Sequence, residues 1–255
     1  MLQQHPEVSS RNSSISADAL IVSLARDQNE IREAQRLRYK VYAEEMGAHL
    51  GGREAGIDCD LYDPWCDHLI VRDPLSGRVV GTYRVLGGAG ARRLGGFYSD
   101  EEFDLTRFEH LRGQIAEMGG SCVHRDYRNG AAITLLMKGV IQHAVRHGYN
   151  YLIGCASISM ADGGATAANV HCALSRSCLS PVEYRVFPRL DLPLCRARPT
   201  DKVAIPSLIK GYMRLGAYMC GAPAWDPDFN TADLLILLPI SRLAPRYARR
   251  FLGRT

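Results

Sequence analysis

The segment 115-IAEMGGSCVHRDYRNGAAITLLMKG-139 restricts the fold more than any other in the chain. It opens with the apolar pattern of a buried strand, IAEMG running into SCVH, and then meets a polar turn at Arg128-Asn129-Gly130. Ile133, Leu136, Met137, Val140, Ile141, Ala144 and Val145 share one helical face, which predicts a helix over 131–147 ending at Gly148. YLIGCAS (151–157) follows as a short buried strand. Strand, turn, covering helix and strand in succession require layers of helix on sheet. The turn itself has three readings: a phosphate cradle, a Cys/His nucleophile site, or a plain corner.

The flanking sequence extends the same layout. ALIVSLA (19–25) reads as a strand, and 28–47 as a helix striped by Ile31, Ala34, Leu37 and Val41 and capped by Gly47. HLIVRD (68–73) and RVVGTYRVL (78–86) flank Pro74-Leu75-Ser76-Gly77 as a hairpin. Residues 87–97 read as a Gly/Arg-rich loop. Ser99 with Glu102 three residues on suggests a capping box at a helix start. Residues 158–204 read as irregular, 205–221 as a helix led by Pro206, and LLILLP (234–239) as a last strand. The expected class is α/β: a mixed central sheet flanked by helices, with a C-terminal helical and strand extension. The organisation is one domain, 19–255, behind a polar, flexible N-terminus at 1–18.

Composition narrows function by exclusion. At 255 residues, 46% hydrophobic and 23% charged, the chain can bury a sizeable core and is not broadly disordered. A net charge of +4 is too weak to argue for nucleic acid. No apolar run approaches the roughly 18–20 residues of a membrane span, and residues 1–18 lack the apolar stretch of a secretory signal. A cytoplasmic protein is expected. The eight cysteines form no Cys-x-x-Cys and no zinc spacing, so free thiols and no metal are expected.

Arg38-x-x-x-Tyr42, 58-DCDLYD-63, Gly81-Thr-Tyr-Arg84 and Glu117 occur in the order seen in acyl-homoserine-lactone synthases. A fuller set of motifs resembles bacterial ornithine-lipid N-acyltransferases, the hemolysin-like acyltransferases. It comprises EEMGA (44–48), DLYDPWCDH (60–68), GTYRVL (81–86), GGFYSDEEFDL (95–105), EMGGSCVHRDYRNG (117–130), GYNYLIGCAS (148–157), LIKGYMRLGA (208–217) and DPDFNT (226–231). The resemblance spans about residues 28–250. It implies a GNAT-like fold and transfer of a (3-hydroxy)fatty acyl group from acyl carrier protein to the α-amine of an amino acid, ornithine above all. The acyl-phosphopantetheine would be a co-substrate, with no bound cofactor. One departure stands out: the family carries Arg after Glu-x-Gly, and here that residue is Gly120. A signal synthase making N-acyl amino acids or lactones, and a lapsed module binding carrier or membrane, are the competing readings.

Amide formation needs a base, because an α-amine with a pKa of ~7.7–8.0 is largely protonated near neutral pH. The resemblance places Glu117 near the site as that base; the alternative is a carboxylate paired with Arg84 or Arg38. Asp60 and Asp63 could hold a cationic amino acid or merely cap a loop, and Arg38 and Arg84 could bind its carboxylate or pair with those acids. Cys122 and His124, two apart on a strand, could share a face as a nucleophile pair, although direct transfer leaves Cys122 a site-lining thiol. His68 reads as structural. The loop 128-RNGAAI-133 is a degraded coenzyme A motif, with Ala131 and Ile133 at later small positions. Arg128, Asn129 and Gly130 at a helix start could still hold one phosphate, which favours a phosphopantetheine arm on a carrier protein. The tail 241–255 carries Arg242, Arg246, Arg249, Arg250 and Arg254, with Leu243, Tyr247 and Phe251 every four residues. Such a basic amphipathic helix could meet anionic lipid at the inner membrane, meet an acidic carrier, or simply pack on the domain.

Overall fold

The computed structural model describes residues 20–50, 54–192 and 203–253, so the flexible N-terminus expected at 1–18 lies outside the described residues. Strand β1 (Ile21–Leu24) leads to helix α1 (Gln28–Tyr39), which Asp27 caps by accepting from the amides of Asn29 and Glu30. The expected helix 28–47 is α-helical only to Tyr39. Lys40–Glu45 continues as a π-helix that places Tyr42 so that its hydroxyl donates to the Ser121 carbonyl at 2.9 Å. The hairpin β2 (Asp67–Arg72) and β3 (Val79–Gly87) forms as read.

Residues 88–94, expected in a loop, form helix α2 (Gly88–Leu94). A Cβ on Gly88 would stand 2.2 Å from the Arg112 carbonyl oxygen, so its two glycines reflect close packing rather than an open loop. Helix α3 (Ser99–Glu102) starts where expected, but Ser99 does not cap it. Then come β4 (Phe103–Asp104), β5 (Ile115–Val123), α4 (Ala131–Arg146) and β6 (Tyr151–Ser159). The stretch expected to be irregular contains α5 (Ala165–Ser175) and the short β7 (Phe187–Pro188). Alanines 165, 167 and 168 pack α5 closely without giving a strong apolar stripe, which hid it from pattern reading. Helix α6 (Ser207–Leu215) stops early because Gly216 takes φ +104°, and β8 (Tyr218–Met219), β9 (Ala224–Asp226), β10 (Thr231–Pro239) and α7 (Pro245–Leu252) complete the chain.

The main sheet has eight strands in the order β1-β2-β3-β5-β6-β10-β8, with β9 also on β10. Strands β2, β3 and β10 and the first halves of β5 and β6 are buried on both faces, which explains their continuous apolar runs, while the edge strand β1 is exposed. Leu69 and Val71 face α4, in one core with Tyr83, Met118, Leu136 and Val140. Ile70 faces α1 with Ala34, Leu37 and Cys122. A third cluster, including Ile115, Ile153, Leu235, Phe97, Phe103 and Phe108, covers the α1 face farther along, beneath α2 and α3.

Two irregularities in β5 create the site. First, β5 and β6 pair in parallel only from Ile115–Tyr151 to Glu117–Ile153, although both strands run on for six residues. The sheet therefore forks beyond Glu117. Second, the β3–β5 register slips by one between Thr82 and Arg84, where Gly120 and Ser121 oppose Tyr83. This is a β-bulge, and Gly120 sits in it with φ +58°. The slip turns Cys122 onto the same face as Glu117, since Leu86, Arg84 and Thr82 pair with Glu117, Gly119 and Cys122 in turn.

Candidate active site

A cavity of about 1,530 Å³ occupies the fork. Its lining comes from both faces of the sheet. Tyr98, Glu117, Cys155, Ser157, Asp226 and Asp233 contribute on the α1 side. Met118, Ile133, Met137, Tyr212, Leu215 and Phe251 contribute on the α4 side. One half is polar and acidic, the other apolar, and Glu117 stands at the apex between them.

Glu117 is 4% exposed and touches neither Arg38 nor Arg84. Its Oε2 accepts from the Tyr98 amide at 2.7 Å; its Oε1 accepts from the Ser99 amide at 2.8 Å and the Ser99 hydroxyl at 2.5 Å. The 97-FYSD-100 turn thus spends its donors on this carboxylate, which is why the Ser99 capping box does not form. Burial pushes Glu117 up to about 7, against the pull of these donors. Ser99 Oγ also lies 3.5 Å from Cys155 Sγ.

The acids and arginines upstream neutralise one another. Arg38, fully buried, donates from Nε to Asp58 Oδ2 at 2.7 Å and from Nη2 to Asp63 Oδ2 at 2.7 Å. Arg84 Nη1 donates to Asp60 Oδ1 at 2.6 Å and lies 3.4 Å from Asp63. Asp60 also accepts from the amides of Tyr62 and Asp63. Burial raises Asp63, but Arg38 and Arg84 outweigh it and hold its carboxyl below the usual range. His68, lowered by burial, sits at 3.0 Å from the Asp63 carbonyl as a neutral structural ring. Of these side chains Arg38 and Asp63 are internal supports. Arg84 and Asp60 reach the cavity wall, and Arg84 Nη2 makes no hydrogen bond among the described residues.

The remaining expected residues divide clearly. Cys122 lines the cavity, but burial pushes its thiol up to about 12, leaving no thiolate near neutral pH. His124 meets Lys40 Nζ at 3.2 Å and Asp126, not Cys122, so the pair does not assemble. Arg128 bonds Val123 O and Glu45 Oε2, while Asn129 Oδ1 accepts from the Ala131 amide. Gly130, at φ +95°, opens α4, and with the Ala131 amide taken by Asn129 it is the Ala132 and Ile133 amides that keep their capacity for an anion at the cavity edge.

Sequence reasoning missed a second acidic group. Asp226 and Asp233 line the cavity with Glu102 nearby, and their recorded partners are hydroxyls and backbone amides: Tyr98, Asp228, Phe229 and Thr231. No cation reaches them within the described residues. Burial and then mutual repulsion push Glu102 up to about 7, and burial pushes Asp233 up to about 6. The signal for Asp226 and Glu102 lay within DPDFNT and GGFYSDEEFDL, motifs legible only as likeness, while Asp233 falls just beyond, in the apolar run 232-ADLLILLPI-240. Seven described cysteines are free thiols, and among the described residues no His/Cys/Asp/Glu group is arranged to hold a metal.

Comparison with known proteins agrees with this geometry. The family profile described as "Acetyltransferase (GNAT) domain" matches residues 37–138. The fold is similar to FeeM, an N-acyl amino acid synthase from uncultured soil microbes (TM-score 0.54, 16% identity, 87% of this chain and 91% of that one). It is similar to MesI, a CoA-dependent acyl-homoserine lactone synthase (TM-score 0.53, 14% identity, 92% and 96%). In sequence, the chain is 38% identical over 247 residues to the L-ornithine N(alpha)-acyltransferase of Agrobacterium fabrum, covering 90% of this chain and 84% of that one. A forked GNAT-like sheet, a buried carboxylate at the fork and this extent of identity converge: the chain is an N-acyltransferase and belongs to the L-ornithine N(alpha)-acyltransferase family.

Proposed function

We propose that the protein transfers a (3-hydroxy)fatty acyl group from acyl carrier protein to the α-amine of ornithine, forming lyso-ornithine lipid. The observation that carries this reading is the two-sided cavity, with unneutralised carboxylates on one side of Glu117 and an apolar wall on the other. An acceptor with a cationic side chain suits the first half, because a desolvated ammonium needs charged partners. A long acyl chain suits the second.

Ornithine enters with its δ-ammonium toward Asp226, Asp233 and Glu102. Its carboxylate takes the free Nη2 of Arg84, beside Asp60. Glu117 removes a proton from the α-ammonium, directly or through a water, and its value of about 7 matches it to this task. The amine then attacks the thioester carbonyl. The oxyanion is met by backbone N–H released from the ladder at the Gly120–Ser121 bulge. As the tetrahedral intermediate collapses the C–S bond breaks, Glu117 gives its first proton to the departing thiolate, and the second proton of the attacking nitrogen passes to Glu117 and on to solvent. Cys122 takes no covalent part. The phosphate of the pantetheine arm rests on the Ala132 and Ile133 amides at the start of α4, with Arg128, Asn129 and Gly130 at its margin.

The test compares ornithine with norvaline, which has the same carbon skeleton and no δ-amine. Ornithine should be favoured by about 100-fold or more in kcat/KM, since losing one desolvated charge pair costs several kcal/mol. Asp233→Asn should shrink that ratio. Equal use of both acceptors by the wild type would remove the acidic half from the reaction.

A further inference from the structure

We propose that the surface formed by α4, α6 and α7 is where an acidic, thioester-carrying protein docks, and that the basic C-terminal helix does not insert into a membrane. This rests on the proposed transfer from a protein-bound thioester and names the surface that receives it.

The charge pattern is one-sided. Helix α4 carries Lys138 and Arg146, α6 carries Lys210 and Arg214, and α7 carries Arg246, Arg249 and Arg250; none of the three helices contains Asp or Glu. That leaves 24 of the chain's 31 Lys and Arg to face all 27 Asp and Glu elsewhere. Every one of the seven except Lys138 is exposed, and none forms a salt bridge among the described residues. Lys138, Arg146, Arg249 and Arg250 converge on one groove of about 490 Å³ between α4 and α7. Elsewhere arginines such as Arg112 and Arg128 are paired, with Asp100 and Glu45, although Arg36, Arg92 and Arg93 are exposed without a salt bridge among the described residues.

The apolar side of α7 settles which anionic partner fits. An interfacial helix must offer that side to lipid. Here Leu243 and Phe251 are buried in the main core, and Tyr247, Ala248 and Leu252 pack against it. Gln142 Nε2 further donates to the Phe251 carbonyl at 2.8 Å, fixing α7 to α4. Only the arginine side remains free, which suits a protein surface bearing carboxylates. Position agrees with charge. Arg214, Tyr247 and Phe251 line the apolar half of the catalytic cavity, so a carrier seated on these helices stands over the side that takes the acyl chain.

The experiment uses full-length Arg249→Glu/Arg250→Glu, and Arg146→Glu as a second, independent variant. Each is assayed with ornithine and either an acyl carrier protein thioester or the same acyl group on free pantetheine. Steady-state rates, their salt dependence and flotation with phosphatidylglycerol vesicles are measured. Expected is a fall in kcat/KM of about tenfold or more for the double variant with the protein-bound donor, from several lost surface charge contacts. The free pantetheine donor should be used as well as by wild type, which also shows that the variants fold. The salt dependence seen with the carrier should flatten, and neither protein should float. Equal loss with both donors, or unchanged rates with the carrier, overturns the docking surface while leaving ornithine acylation intact. Flotation of wild type that the variants lose overturns it in favour of lipid. No acylation of ornithine from either donor overturns the proposed function, and this inference with it.

Discussion

Replacing Glu117 with Gln separates catalysis from architecture, because the structure predicts both consequences. The change keeps the shape but turns one acceptor oxygen into an NH₂ that must face the amide of Tyr98 or Ser99. An unsatisfied donor of this kind costs about 1–3 kcal/mol. The charge it removes was itself costly. Glu117 titrates at about 7 in the folded protein, against ~4.3 unfolded. A raised carboxyl binds its proton more tightly when folded, so its contribution to stability falls as pH rises from ~4.3 to about 7 and is constant above. The fall amounts to about 4 kcal/mol. At pH 8 the two effects oppose, and the variant should unfold within about 3 kcal/mol of wild type. Its rate should drop by ~10²–10⁴, or about 3–5 kcal/mol in the barrier. The assay is the initial rate of N-acylornithine formation across pH, followed by mass spectrometry. Wild-type kcat/KM should climb through pH 7 with the Glu117 ionisation and again near the amine's own pKa of ~8. The variant should retain only the amine's limb. A variant within threefold of wild type, with both limbs present, would refute Glu117 as the base.

Four further outcomes follow from the same geometry. Asp63→Ala leaves buried Arg38 with part of its charge unmatched and should cost about 3–5 kcal/mol in denaturant unfolding. Gly120→Ala should lower stability by about 1–3 kcal/mol, read as a drop in Tm, because φ +58° strains any side chain. Gly120→Arg should do at least as badly without raising turnover, since its Cβ would lie 3.1 Å from both Arg38 Cδ and Arg84 Nε. Cys122→Ala should keep activity within a few-fold and show no acyl-enzyme in rapid-quench mass spectra, because the native thiol stays protonated.

Long periodic segments were legible in the sequence, and irregularities were not. The α4 stripe and the 68–86 hairpin folded as their patterns dictate, because apolar period and turn chemistry agree there. Helix α5 was lost among small residues and α2 behind its glycines, since close approach of backbones leaves no apolar period to read. The Ile205–Gly221 helix was overrun because Gly216 ends it. Arg38, Asp60, Asp63 and Arg84 were found together by motif, yet which of them pairs inward is decided by side-chain packing across 20 or more residues of sequence. The bulge at Gly120 is the deepest case. One residue appears in sequence as a missing arginine and in the fold as the kink that brings Cys122 and Glu117 to one face.

The most direct measurement of the central claim is where the acyl group lands. Purified protein, 3-hydroxyacyl carrier protein and ornithine should give one product, and its tandem mass spectrum should place the amide on the α-nitrogen with the δ-amine free. That follows if Asp226, Asp233 and Glu102 hold the δ-ammonium while Glu117 deprotonates the α-amine. Acylation of the δ-nitrogen, or no acylornithine at all, would contradict the account.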